Sequence, residues 1–247
     1  MYCIPFGNDN KEEKMNNLTV DKQQKSRYST MSMVQVAIFG ALICVMAFTP
    51  FLGYIPLGFT RATIIHIPVI VASLLMGPKK GAALGFLFGL TSFINNTINP
   101  TPTSFVFTPF YSIAGVEGGF GSVIICFVPR ILVGIVPHYV YKFVMKFVSE
   151  DSRKKGISTL GLGIAGVVGS LTNTLLVMNL IFVFFREAYA SANNVAVSKV
   201  YTFILSIIGI NGVPEAIVAG VLTIFIGRAF LKKNVRERLG FKNDLGY

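Results

Sequence analysis

Six mostly apolar stretches divide this chain, at about residues 33–52, 62–77, 81–98, 122–147, 159–185 and 203–231, with short polar or Gly- and Pro-rich links between them. A helix rises 1.5 Å per residue and a bilayer core is about 30 Å thick, so one crossing takes roughly 20 apolar residues. The stretches meet or approach that length. Charged residues make up 13% of the sequence, against about 25% in an ordinary soluble domain. The expected fold class is therefore all-α: a polytopic membrane protein, a single bundle of six transmembrane helices over residues 31–232. Residues 1–30 are polar and lack the apolar core of a signal peptide, and are expected to form a disordered cytoplasmic tail. Residues 233–247 are expected to form a second cytoplasmic tail.

The net charge of +11 does not gather on one face, as it would for a nucleic-acid binder; it follows the membrane topology. With six crossings, the N-terminal tail, the Gly77-Pro78-Lys79-Lys80-Gly81 turn, the link around Arg153-Lys154-Lys155 and the C-terminal end fall on one side. Of the 22 Lys and Arg residues, all except Arg61, Arg130, Arg186 and Lys199 lie there. Cytoplasmic loops are enriched in these residues, so both termini are expected in the cytoplasm. The surroundings are membrane lipid, and no nucleic acid is called for.

Polar groups inside the spans are one-sided. His66 lies about one turn into the second span, Asn95 and Asn96 end the third, Arg130 sits in the fourth, Asn173 in the fifth, and Asn211 and Glu215 in the sixth. All are expected toward the outer half, leaving the inner half nearly dry. Polar side chains are costly in lipid and usually mark a pathway or a site. A channel or self-contained carrier would line both halves, whereas one-sided polarity fits capture from outside. Arg130 either pairs with Glu215 across two helices or offers its planar fork to an anionic ligand, ideally a carboxylate. His66 reads as a packing residue or a hydrogen-bond partner, and Asn173 as interhelical glue or a ligand contact. Pro129 is expected to disturb its helix and free backbone carbonyls beside Arg130.

The outward links at 52–61 and 99–121 combine Gly and Pro with aromatic residues. Tyr54, Phe105, Phe107 and Tyr111 would suit lids over a pocket, or an aromatic belt at the interface. Ala37, Gly40, Ala41, Cys44 and Ala47 line one face of the first helix, and Gly81, Gly85 and Gly89 one face of the third. Such faces admit close approach of another backbone, inside the bundle or from a partner. No nucleophile with its base, metal-binding spacing or phosphate-cradling loop occurs, so neither an enzyme, a resident metal nor a cofactor is expected. Energy from nucleotide hydrolysis would have to come from another polypeptide.

These features, with Thr63-Ile64-Ile65-His66-Ile67-Pro68-Val69, Gly77-Pro78-Lys79-Lys80-Gly81, Gly89-Leu90-Thr91-Ser92-Phe93, Pro129-Arg130-Ile131-Leu132-Val133-Gly134 and Gly169-Ser170-Leu171-Thr172-Asn173-Thr174, resemble the substrate-binding S components of energy-coupling factor vitamin transporters. Within that group the likeness is to the pantothenate branch, over about residues 33–232. The resemblance implies a multi-pass protein of the bacterial cell membrane that captures a vitamin from outside. It further implies association with a transmembrane coupling protein and two ABC ATPases, with Ala37, Ala41 and Cys44 on the docking face, and toppling in the membrane to deliver the ligand. Pantothenate would pair its carboxylate with Arg130 and its hydroxyls and amide with His66, Asn95, Asn173 and Asn211. Riboflavin or a thiamine precursor is the alternative on the same fold, and a solitary secondary transporter is a more distant one.

Overall fold

The computed structural model describes residues 30–49, 53–57, 60–113, 116–148 and 158–231, with Val235 and Leu239. The expected tails, apart from Thr30 and those last two positions, lie outside the described residues. Helix α1 spans Thr30–Phe48. An antiparallel hairpin follows, β1 (Tyr54–Leu57) with β2 (Thr60–Thr63), which sets Tyr54 opposite Thr63. Helices α2 (His66–Met76) and α3 (Pro78–Ile98) come next, then a short 3-10 turn at Ser104–Val106 and a small second hairpin, β3 (Ser112–Ile113) with β4 (Val116–Glu117). Helices α4 (Phe120–Val133) and α5 (Val136–Val144) form one run, and α6 (Thr159–Ala192) is a long helix interrupted near its end by a kink at Phe185. Helices α7 (Val200–Ile207) and α8 (Val213–Phe230) are joined by a π turn at Ile208–Gly212.

Among the described residues, five helical runs are long and apolar enough to cross a membrane: Thr30–Phe48, Pro78–Ile98, Phe120–Val144, Thr159–Ala192 and Val197–Phe230. The second apolar stretch behaves differently from the expectation. Its first residues belong to β2, and its helix α2 has 11 residues, roughly 16 Å of rise. Pro68 fits the late start, because the first helical turn is where a proline's missing N–H costs nothing. All of α2 is buried, so it forms the centre of the bundle. The five long apolar runs are helical, and the two hairpins seen among the described residues are additions that an all-helical reading did not contain.

Gly77, at φ 85°, ends α2 and starts α3 by itself, with Pro78 already in the first turn of α3. Lys79 and Lys80 therefore belong to the helix instead of a loop. The glycine face of α3 is used inside the bundle. A Cβ on Gly81 would strike the Gly134 carbonyl, and one on Gly85 the Arg130 carbonyl. At Gly89 it would come within 2.9 Å of the Phe127 ring, and the Cys126 thiol reaches the Gly89 carbonyl at 3.3 Å. On α1, Gly40 and Ala47 turn inward, Gly40 toward Leu84 and Leu87, while Ala37 and Ala41 are exposed and Cys44 is half-buried.

Among the described residues the apolar interior falls into two clusters. The first surrounds α2 and runs to the end of the bundle where α2 meets α3, through Leu75, Met76, Tyr141, Met145, Leu162 and Leu231. The second, with Phe105, Val177, Ile181, Val200 and Ile204, lies toward the hairpin end, between α6, α7 and the 3-10 turn. Outward-facing Ile38, Val45, Phe143, Ile217 and Phe225 are exposed, as expected of side chains meeting acyl chains.

Candidate binding cavity

The cavity begins with a proline. Pro129 has no N–H to give the carbonyl of Ile125, four residues earlier, and an unsatisfied carbonyl in an apolar bundle is costly. Arg130 fills the gap: its Nη1 donates to the Ile125 carbonyl at 2.6 Å. The guanidinium also lies over two rings, 4.9 Å from the centroid of Phe107 and 5.7 Å from that of Phe88, so aromatic faces share its charge. Its Nε is enclosed without a hydrogen-bond partner, and the side chain borders a cavity of about 550 Å³.

Glu215 enters the same cavity from α8. Pro214, just inside that helix, lacks an N–H and crowds the carbonyl of residue 210, and the wide π turn over Ile208–Gly212 relieves the conflict. The turn places Asn211 and Glu215 on the cavity wall. Glu215 does not pair with Arg130 among the described residues. Its Oε1 accepts the backbone N–H of Thr63 at 2.6 Å, and the Thr174 hydroxyl also faces the carboxylate. Thr63 is the last residue of β2, so this bond fastens the first hairpin to α8. Asn173, one residue before Thr174, also lines the cavity, and its Oδ1 is buried without a partner.

The segment from Asn99 to Tyr111 is held down by short side chains. Asn96 Nδ2 donates to the Ser92 carbonyl at 2.8 Å, and its Oδ1 accepts from the Ser104 hydroxyl at 2.8 Å. Ser104 Oγ in turn accepts the Thr101 N–H at 2.8 Å. Ser122, at the start of α4, donates to the Phe105 carbonyl at 2.7 Å, and Thr97 meets Thr108 at 2.8 Å. Thr101, Thr103 and Phe107 then roof the cavity. Phe105 is fully buried and stands edge-on to Phe185, 5.8 Å between centroids. Tyr111 packs against the second cluster, while the side chain of Tyr54 lies outside the described residues.

The rest of the roof comes from α6. With 34 residues this helix is roughly 51 Å long, well over the hydrocarbon thickness. At Phe185 it departs from helical geometry, with φ −134° and ψ 27°. Beyond that kink, Tyr189, Ala192 and Asn193 line the cavity, so the end of α6 caps it.

Of the residues singled out from sequence, Asn96, Arg130, Asn173, Asn211, Glu215 and Phe107 come together at the cavity. His66 and Asn95 are not on its wall. His66 is buried among apolar neighbours, its ring nitrogens outside hydrogen-bonding geometry although the Thr63 backbone lies alongside. Asn95 Oδ1 accepts from Asn99 Nδ2 at 3.1 Å, a local tie at the end of α3. Wall residues that sequence reasoning missed include Thr63, Ser92, Thr174, Tyr189 and Asn193. Thr174 sits in a polar run that pointed to it; Tyr189 and Asn193 follow Arg186-Glu187, where the apolar stretch had ended.

This combination, a helical membrane bundle with a polar cavity at the hairpin end and a packed apolar core toward the other, defines a membrane-embedded binding protein for a small polar solute. Comparison with known proteins narrows the class. Residues 31–227 match the family described as ECF transporter, substrate-specific component. The pantothenic acid transporter PanT of Lactococcus lactis subsp. cremoris (strain MG1363) is 36% identical over 210 residues, covering 85% of this chain and 97% of that protein. The pantothenate transporter PanT of Leuconostoc mesenteroides subsp. mesenteroides is 27% identical over 226 residues, 88% of this chain and 99% of that one. The chain belongs to the family of ECF transporter substrate-specific components: a multi-pass membrane protein and a part of a transport system, not an enzyme.

Proposed function

We propose that this protein is the pantothenate-binding S component of an ECF importer, and that Arg130 receives the vitamin's carboxylate. The observation that carries the reading is the cavity, where an arginine shielded by two rings lies with amides and one carboxylate, toward the hairpin end of the bundle. Pantothenate has a carboxylate, an amide, two hydroxyls and a pair of methyl groups. Arg130 matches the first, Asn173 and Asn211 the amide, Glu215 a hydroxyl, and Val177 and Ile181 the methyls. Asn96 has both ends of its amide engaged with Ser92 and Ser104, so its main work is holding the roof. Both PanT relatives carry names that state the same vitamin.

In this reading α2, extended by the first hairpin, counts as the sixth span, both termini are cytoplasmic and the hairpin end faces outward. The exposed Ala37 and Ala41, with Cys44 beside them, form the face of α1 that meets a transmembrane coupling protein, which two ABC ATPases drive. Calorimetry on the purified chain, with no nucleotide and no partner, tests the assignment. Saturable binding of pantothenate, with riboflavin and thiamine precursors failing to compete, is the expected result. Preference for either competitor would reassign the ligand.

A further inference from the structure

Arg130 and Glu215 border one cavity, yet each is bonded to backbone and not to the other. A carboxylate in a chamber that takes an anion works against binding unless it reads another part of the ligand. Glu215 is fixed for such reading. Its Oε1 is held by the Thr63 N–H, its carbon skeleton by the turn after the π segment, and a carboxylate can only accept hydrogen bonds. Among the described residues on the cavity wall, Arg130 is the sole cation.

We infer that Glu215 is the specificity-determining residue of the cavity: it accepts a neutral hydroxyl at the ligand end remote from the carboxylate and rejects ligands that carry a second negative charge there, such as a phosphate ester. The inference rests on the pantothenate reading, in which Arg130 holds the carboxylate. A phosphate monoester carries about −1.5 to −2 at neutral pH. Each unit of like charge about 7 Å from a carboxylate weakens binding roughly 50-fold at an effective dielectric near 20. The site thus admits the free vitamin and excludes its phosphorylated form by charge, beyond any effect of size.

Three ligands separate charge from bulk in titrations of the full chain: pantothenate, its phosphate monoester at the primary hydroxyl, and the corresponding dimethyl phosphate triester, which has similar bulk and no charge on phosphorus. In the wild type, titrated at a pH where Glu215 and the monoester are both ionised, the monoester is expected to bind ~50-fold more weakly than the triester. Glu215→Gln keeps an oxygen for the Thr63 N–H and removes the charge, and should narrow that gap at least tenfold. Equal wild-type affinity for monoester and triester, or a gap unchanged in the Gln variant, overturns the inference; should that variant not fold, the wild-type comparison decides alone. Wild-type protein that binds none of the three overturns the pantothenate reading itself, and this inference with it.

Discussion

Single side chains in this protein do two tasks where a proline has removed a backbone donor. Arg130 satisfies the Ile125 carbonyl and lies at the cavity wall, so its replacement has two separable consequences. Arg130→Ala should weaken pantothenate binding by about 2–5 kcal/mol, the range for truncating one partner of a buried charged pair. Arg130→Lys should recover only part of it, because an ammonium lacks the planar fork needed to serve carbonyl and carboxylate together. Both are read by calorimetry, and unchanged affinity in the alanine variant would remove Arg130 from the site. The presence of a cation, an acid and asparagines at one depth was legible from sequence, because ionisable and amide groups stand out in apolar runs. Their partners were not. Nothing in the order of residues tells that Glu215 reaches the backbone of Thr63, 152 positions away, instead of Arg130, or that His66 faces packed side chains.

At the level of elements, the helices were visible in the apolar runs and the departures from helix were not. The first hairpin hides in a link whose residues read as merely apolar, and the tip of α6 lies past Arg186 and Glu187, where hydropathy falls although the helix continues to Ala192. The glycine stripe was recognised in α3, but only coordinates decide whether such a stripe faces inside or out. Gly85→Ala drives a methyl into the Arg130 carbonyl and should cost about 1–3 kcal/mol, seen as a lower melting temperature in detergent together with weaker ligand binding. Gly40→Ala meets only the end of Leu87 at 3.2 Å and should leave the melting temperature unchanged or higher. Equal effects of the two would contradict the assignment of the α3–α4 contact as the tight one. Phe105→Ala removes a fully buried ring between roof and kink, with an expected loss of about 3–5 kcal/mol. Hydrogen exchange should accelerate across 101–108, and ligand dissociation with it; protection equal to wild type would show that Phe105 does not secure the roof.

For the whole molecule the governing feature is asymmetry: polar walls and two hairpins at one end, and an apolar cluster from α2 to Leu231 closing the other. In the proposed reading a protein built this way binds from one face and relies on partners to pass its ligand onward, in keeping with its membership of a family of substrate-specific transporter components. The measurement that bears on this most directly is pantothenate binding to the isolated protein in sealed liposomes of uniform orientation, without nucleotide or partner proteins. Binding is predicted only when the hairpin end faces the added ligand, with no accumulation in the lumen. Equal binding from both faces, or uptake driven by an ion gradient alone, would contradict the account.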